Sequence, residues 1–169
     1  MKFADNKKLV KGLTPEEFKR LINAVPTKDK VARTAFLLGY GAGLRISEVT
    51  SLKKENVVEN RIEILDSKGG KDRVVPKPKG WKEYMNSVIP VGVTDRTLQR
   101  KFKKYAKLAG LPEHYVFHSL RHGFGTRMVE SGVPLNQVQI AMGHSSISVT
   151  NVYTKARPTD MLKSYEELF

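Results

Sequence analysis

The chain has 169 residues, with 30 Lys+Arg against 17 Asp+Glu, a formal net charge of +13, 40% hydrophobic residues and no cysteine. This length suits one domain with a sizeable core, and the lack of cysteine excludes a disulfide framework, a thiol nucleophile and Cys-ligated zinc or iron–sulfur sites. The most apolar stretch, Thr34 to Leu44, falls short of the ~20 residues a membrane span needs, and no signal-peptide core opens the chain. The expectation is therefore a soluble, cytoplasmic domain with a polyanionic partner, most simply nucleic acid.

Residues 1–12 are polar and basic and read as a linker or tail, with the folded domain over 13–169. Thr14-Pro15-Glu16-Glu17 is a helix start, with a hydroxyl at the N-cap, proline at the first helical position and glutamate three residues on. Phe18, Leu21, Ile22 and Val25 then form one apolar stripe. A second helix is predicted from about Lys28 to Leu38, ended by the cluster Gly39-Tyr40-Gly41-Ala42-Gly43, and a short third from Ile46. The period then changes. Residues 56–58, 61–65 and 73–76 read as three strands of an antiparallel meander, with Gly69-Gly70 at the second tip.

A short helix is expected around Trp81 to Val88. A longer one spans Thr94 to Ala109, its apolar face Leu98, Phe102, Tyr105, Ala106 and Ala109 and the rest basic: Arg96, Arg100, Lys101, Lys103, Lys104 and Lys107. Further helices are expected over 119–131, 134–142 and 147–153, with a short amphipathic segment in 155–169. The fold class is α+β, predominantly helical with one small three-stranded antiparallel sheet.

Four histidines are available: His114, His118, His122 and His144. His118 and His122 share a helix face, and with His144 they invite comparison with a zinc site. The zincin pattern, however, needs Glu directly after the first His, where Ser119 stands, and no carboxylate lies between His118 and Gly125. No metal site is expected. On a helix His118, Arg121 and His122 project together, at about 0°, 300° and 40°, opposite the core-facing Leu120, Phe124 and Met128. Arg45 follows the glycine break, where a guanidinium and nearby backbone N–H groups can address a phosphate together. Lys68 rides a hairpin tip. Each also has a plainer reading: Arg45 as an ion-pair partner of Glu48, Lys68 as a solvated turn residue, His118 as a helix cap.

The strings Gly43-Leu44-Arg45-Ile46-Ser47-Glu48, Lys68 in a hairpin, His118-Ser119-Leu120-Arg121-His122, Met142-Gly143-His144-Ser145-Ser146 and Tyr153 occur in an order that resembles the tyrosine recombinase (phage integrase) family. The chain looks most like the catalytic domain of its Xer-type members. The resemblance runs from Thr14 to about Arg157. It departs only at Met142, where Leu is usual, and at Lys155, where many members carry His.

The resemblance implies that Tyr153 attacks a DNA phosphodiester, giving a 3′-phosphotyrosine and a 5′-hydroxyl. Arg45, Arg121 and His144 contact the phosphate, His118 is general base or acid, and Lys68, preferred to Lys71, protonates the leaving oxygen. Glu48 is expected to hold an arginine or His118. The expected partner is double-stranded DNA, met by Lys71, Arg96, Arg100, Lys101 and Lys104, without a cofactor, and with homo-oligomer contacts through 155–169. The N-terminal core-binding domain of full-length relatives is expected to be absent. The competing readings are a non-catalytic DNA-binding module and a type IB topoisomerase-like enzyme.

Overall fold

A computed structural model describes residues 12–65 and 72–143. The expectations for Lys68, Lys71, His144, Tyr153, the Gly69-Gly70 turn, the helix over 147–153 and the segment 155–169 lie outside the described residues. Helix α1 runs Pro15–Ala24. Thr14 Oγ1 accepts from the Glu17 N–H at 3.2 Å, and the Glu17 carboxylate accepts from the Thr14 N–H at 2.9 Å. The box satisfies two backbone donors at once, and the predicted stripe packs inward, with Leu21 and Val25 buried.

Helix α2, Lys30–Ala42, runs four residues past its predicted end. Gly39 and Gly41 of the cluster serve packing rather than termination. A Cβ on Gly39 would lie 3.1 Å from Leu120 Cβ, and one on Gly41 would lie 2.6 Å from Pro78 Cβ. These close approaches outweigh the ~1 kcal/mol that each helical glycine costs. Termination falls to Gly43, at φ 72°, where a Cβ would also lie 2.5 Å from Phe124 Cδ1. The left-handed backbone costs an L-residue about 1–2 kcal/mol, and crowding a packed aromatic adds about 1–3. Gly43→Ala is therefore expected to lower stability by at least about 2 kcal/mol, read as a fall in the urea midpoint at unchanged slope.

After α3 (Ile46–Ser51), residues Lys54–Asn56 form a turn of 3-10 helix rather than the start of a strand. The Asn56 side chain accepts from the Lys53 N–H at 3.2 Å, a local bond that competes with the sheet ladder. Of the predicted first strand only an isolated bridge between Val57 and Ile62 remains. Among the described residues the sheet has two antiparallel strands, β1 (Arg61–Ile64) and β2 (Arg73–Pro76), with Ile62 opposite Val75 and Ile64 opposite Arg73. Ile62, Ile64, Val75 and, against expectation for a charged residue, Arg73 are the buried members.

Helices α4 (Glu83–Val88), α5 (Asp95–Leu108), α6 (His118–Glu130) and α7 (Leu135–Ala141) follow close to their predicted places. Helix α2 is the hub, packing on α1, α3, α4, α5 and α6. Its Phe36 meets Phe102 of α5 edge-on at 5.7 Å and Phe117 at 6.1 Å. A smaller apolar cluster of Phe124, Met128, Val138, Ala141 and Met142 joins α6 to α7, and α7 lies on β2. This packing gathers the end of α2, the first turn of α6, the end of α7 and the start of β2. Among the described residues no helix is long and apolar enough to cross a membrane.

Candidate active site

Arg121 stands one turn into α6 and is only 2% exposed. Its Nη1 donates to the Gly43 carbonyl at 2.7 Å, and its Nη2 donates to the Met142 carbonyl. The guanidinium fork is thus fixed between the ends of α2 and α7. Burial lowers its pKa, and the charges of Arg45 and Arg73 lower it further against the opposing pull of Glu48, to about 9. It stays cationic at neutral pH, dry and among like charges, which is the setting in which an incoming anion is most strongly favoured.

Arg45 occupies the N-cap of α3 with extended backbone, φ −69° and ψ 155°. Glu48 reaches back so that one carboxylate oxygen accepts from the Arg45 N–H at 2.8 Å and the other from Arg45 Nη1 at 3.1 Å. The ion pair read from the sequence is therefore present. It leaves the Arg45 side chain 37% exposed, so the pair does not withdraw the guanidinium from an incoming ligand.

Glu48 has a second and closer partner that sequence reasoning missed. Arg73 donates from Nη1 and Nη2 to the two Glu48 oxygens, each at 2.7 Å, and from Nε to the Ala141 carbonyl at 2.9 Å. Burial alone would raise the Glu48 carboxyl. The hydrogen bonds and charge of Arg73, the Arg45 N–H and the charge of Arg121 outweigh it and hold the pKa below the usual carboxylate range. Three guanidiniums thus surround one ionised carboxylate. The signal that could have found Arg73 was the period of two, which places it on the inner face with Val75.

His118 opens α6 on the exposed side, with its ring centroid 4.7 Å from that of His122 in an edge-on contact. Burial, followed by the charge of Arg121, lowers the His122 pKa, so this imidazole is neutral at pH 7. The predicted common face of His118, Arg121 and His122 is real, but Arg121 lies much deeper than its neighbours. Among the described residues no cluster of three metal-ligating side chains occurs.

On α5, Arg96, Arg100 and Lys104 are exposed. Lys101 turns the other way, its Nζ donating to the Asp29 carboxylate at 2.7 Å, where Tyr105 Oη also donates at 2.6 Å. Tyr40, Tyr105 and Tyr115 are buried, and burial raises the pKa of each phenol, that of Tyr105 to about 12 with the help of Asp29. Tyr84 lies beneath Lys30 Nζ, 5.5 Å from the ring centre. The three buried phenols, Tyr40, Tyr105 and Tyr115, are not placed to act as nucleophiles at neutral pH.

The phage integrase family model matches residues 11–159. Tyrosine recombinase XerA of Thermococcus onnurineus (strain NA1) is 38% identical over 95% of this chain and 64% of that protein. The chain therefore spans less than two thirds of the length of that relative. The integrase from mycobacterium phage Brujita superposes with a TM-score of 0.72 at 23% identity, covering 94% of this chain and 58% of the other. XerH site-specific recombinase, bound to palindromic difH substrate in a post-cleavage complex, gives a TM-score of 0.68 at 25% identity, covering 90% of this chain and 52% of the other.

Proposed function

The chain belongs to the phage integrase family, and on that premise we propose that it is the catalytic domain of a site-specific tyrosine recombinase. The observation that carries the proposal is the cluster in which Glu48 and the ends of α2 and α7 hold Arg45, Arg73 and Arg121 together. A phosphodiester under attack spreads negative charge over its non-bridging oxygens, so fixed guanidiniums there contribute most to the rate. Arg45 and Arg121 are assigned to those oxygens, with His144 as a third contact.

Tyr153 Oη attacks phosphorus, the phosphorus–O5′ bond breaks, and a 3′-phosphotyrosine and a free 5′-hydroxyl result. A phenol of pKa ~10 has to lose its proton to react at neutral pH. His118, exposed at the start of α6, accepts it, and Lys68 donates a proton to the departing O5′. A second 5′-hydroxyl then attacks the phosphotyrosine and rejoins the strands, so bond energy is conserved and no water is consumed. The buried phenols of Tyr40, Tyr105 and Tyr115 support this role for Tyr153. The partner is double-stranded DNA, met by Arg96, Arg100 and Lys104 of α5 together with Lys71. Lys101 is a weaker candidate because Asp29 already holds it. Residues 155–169 are proposed to contact a second copy on DNA, and the reaction takes place in the cytoplasm on nucleoid DNA.

The test is a nicked suicide substrate. The protein is expected to form a covalent adduct that survives EDTA and is lost in Tyr153→Phe. Retention of the adduct in that variant would overturn the nucleophile assignment. Saturated DNA binding with no adduct from the unaltered protein would favour a DNA-binding module instead.

A further inference from the structure

We infer that Arg73 is a positioning residue that sets the Arg45–Glu48 pair in register with the chain entering the His144 and Tyr153 segment. The inference rests on the recombinase reading above. Its side chain is 3% exposed, and three of its donors are engaged: two by Glu48 and one by the Ala141 carbonyl at the end of α7. Gly143, the residue before His144, lies directly over the guanidinium. A Cβ there would be 2.8 Å from Nη1 and 3.2 Å from Cζ, and its φ is +65°. Gly143 is thus held both by a left-handed backbone and by the plane beneath it.

Stability alone does not account for this arrangement. Burying a guanidinium on the inner face of a two-stranded sheet is costly, and an apolar residue of similar volume would serve the core at least as well. The planar fork does what an apolar side chain cannot. It grips one carboxylate with two parallel bonds while a third donor, at a fixed angle, holds a carbonyl of another element. It also shares Glu48 with Arg45. Both Arg73 Nη1 and Arg45 Nη1 point at the same oxygen, at 2.7 and 3.1 Å. With Arg73 drawing on that oxygen, Glu48 orients Arg45 without neutralising it. Without Arg73, the whole carboxylate charge would fall on Arg45 and compete with the phosphate.

Arg73→Lys keeps the charge but loses the fork. Misplacing reacting groups by about an ångström can cost on the order of 10²-fold in rate. Arg73→Lys is accordingly expected to slow single-turnover adduct formation at saturating DNA by about 10- to 100-fold, with DNA affinity changed by less than about threefold. In a double-mutant cycle with His144→Ala the losses are expected to be strongly non-additive, because both act on one unit. A single-turnover rate within twofold of the unaltered protein, or fully additive losses, would overturn the inference.

A second measurement needs no cleavage. Amide hydrogen exchange in the free protein is expected to quicken in Arg73→Lys both at 45–48 and at 141–143, and unchanged exchange in either segment would overturn the coupling. If the unaltered protein forms no adduct, the recombinase reading fails while the exchange result still decides whether Arg73 ties the two segments.

Discussion

Replacing Arg121 with lysine is expected to lower the rate of strand cleavage by about 10²–10³-fold, the usual cost of one lost transition-state donor, while DNA binding falls much less. The reason lies in how the side chain is held. One Nη addresses the Gly43 carbonyl and the other the Met142 carbonyl, so the remaining donors of the fork have one defined direction. Lysine carries a compact charge on a flexible stem. It can satisfy one carbonyl or the other but cannot be clamped between both. On the proposed recombinase reading, DNA binding rests mainly on the many exposed cations, which this change leaves in place. Rapid-quench measurement of adduct formation at saturating DNA separates the two quantities, and a loss under tenfold would remove Arg121 from the reacting centre.

The second large effect is on stability. Glu48→Ala is expected to cost about 3–5 kcal/mol, because removing one partner of a buried pair leaves the other charged and unsatisfied. Here the stranded partner is Arg73, 3% exposed against 12% for Glu48. Glu48→Gln, which keeps an acceptor, should lose less. The pH dependence follows the same pair. The folded carboxyl binds its proton less readily than in the unfolded chain, since Arg73 and Arg45 favour its ionised form despite burial. Its contribution is therefore complete above the ordinary glutamate pKa of about 4.3 and is lost as pH falls below it. Urea titrations between pH 7 and pH 3 should show a shallower acid decline in Glu48→Gln than in the unaltered protein. Parallel declines would assign the acid sensitivity to other groups, of which Asp29, bonded to Lys101 and Tyr105 and also lowered in pKa, is the first to examine.

The residues legible in the sequence were those whose role is written in local order. The capping box at Thr14, the apolar face of α5 and the Arg45–Glu48 spacing each depend on neighbours within one or two turns. Where long-range contacts decided, local order misled. Gly39 and Gly41 signalled a helix end, yet they are glycine because Leu120 and Pro78 press on α2. Residues 56–58 read as extended, yet the Asn56 side chain closes a turn on the Lys53 N–H. Lys101 looked like one more surface cation until Asp29, 72 residues away, supplied its partner. Arg73 was hidden for the same reason. Its inward register was readable, but the Glu48 and Ala141 groups that make such burial tolerable come from α3 and α7.

The carbonyls that hold Arg121 have a consequence of their own. They belong to the C-terminal ends of α2 and α7, where aligned peptide dipoles concentrate partial negative charge. Arg121 is therefore hydrogen-bonded to neutral dipoles, with Glu48 acting on it only through its charge, and much of its own charge remains directed at whatever enters. Arg45, by contrast, shares a carboxylate. The two also differ in shielding. Mobile ions screen exposed charges beyond a Debye length of about 8 Å at physiological ionic strength but reach a buried one far less. On the proposed recombinase reading, adding salt should thus weaken DNA binding through the exposed α5 cations while leaving the chemistry of already bound DNA nearly unchanged.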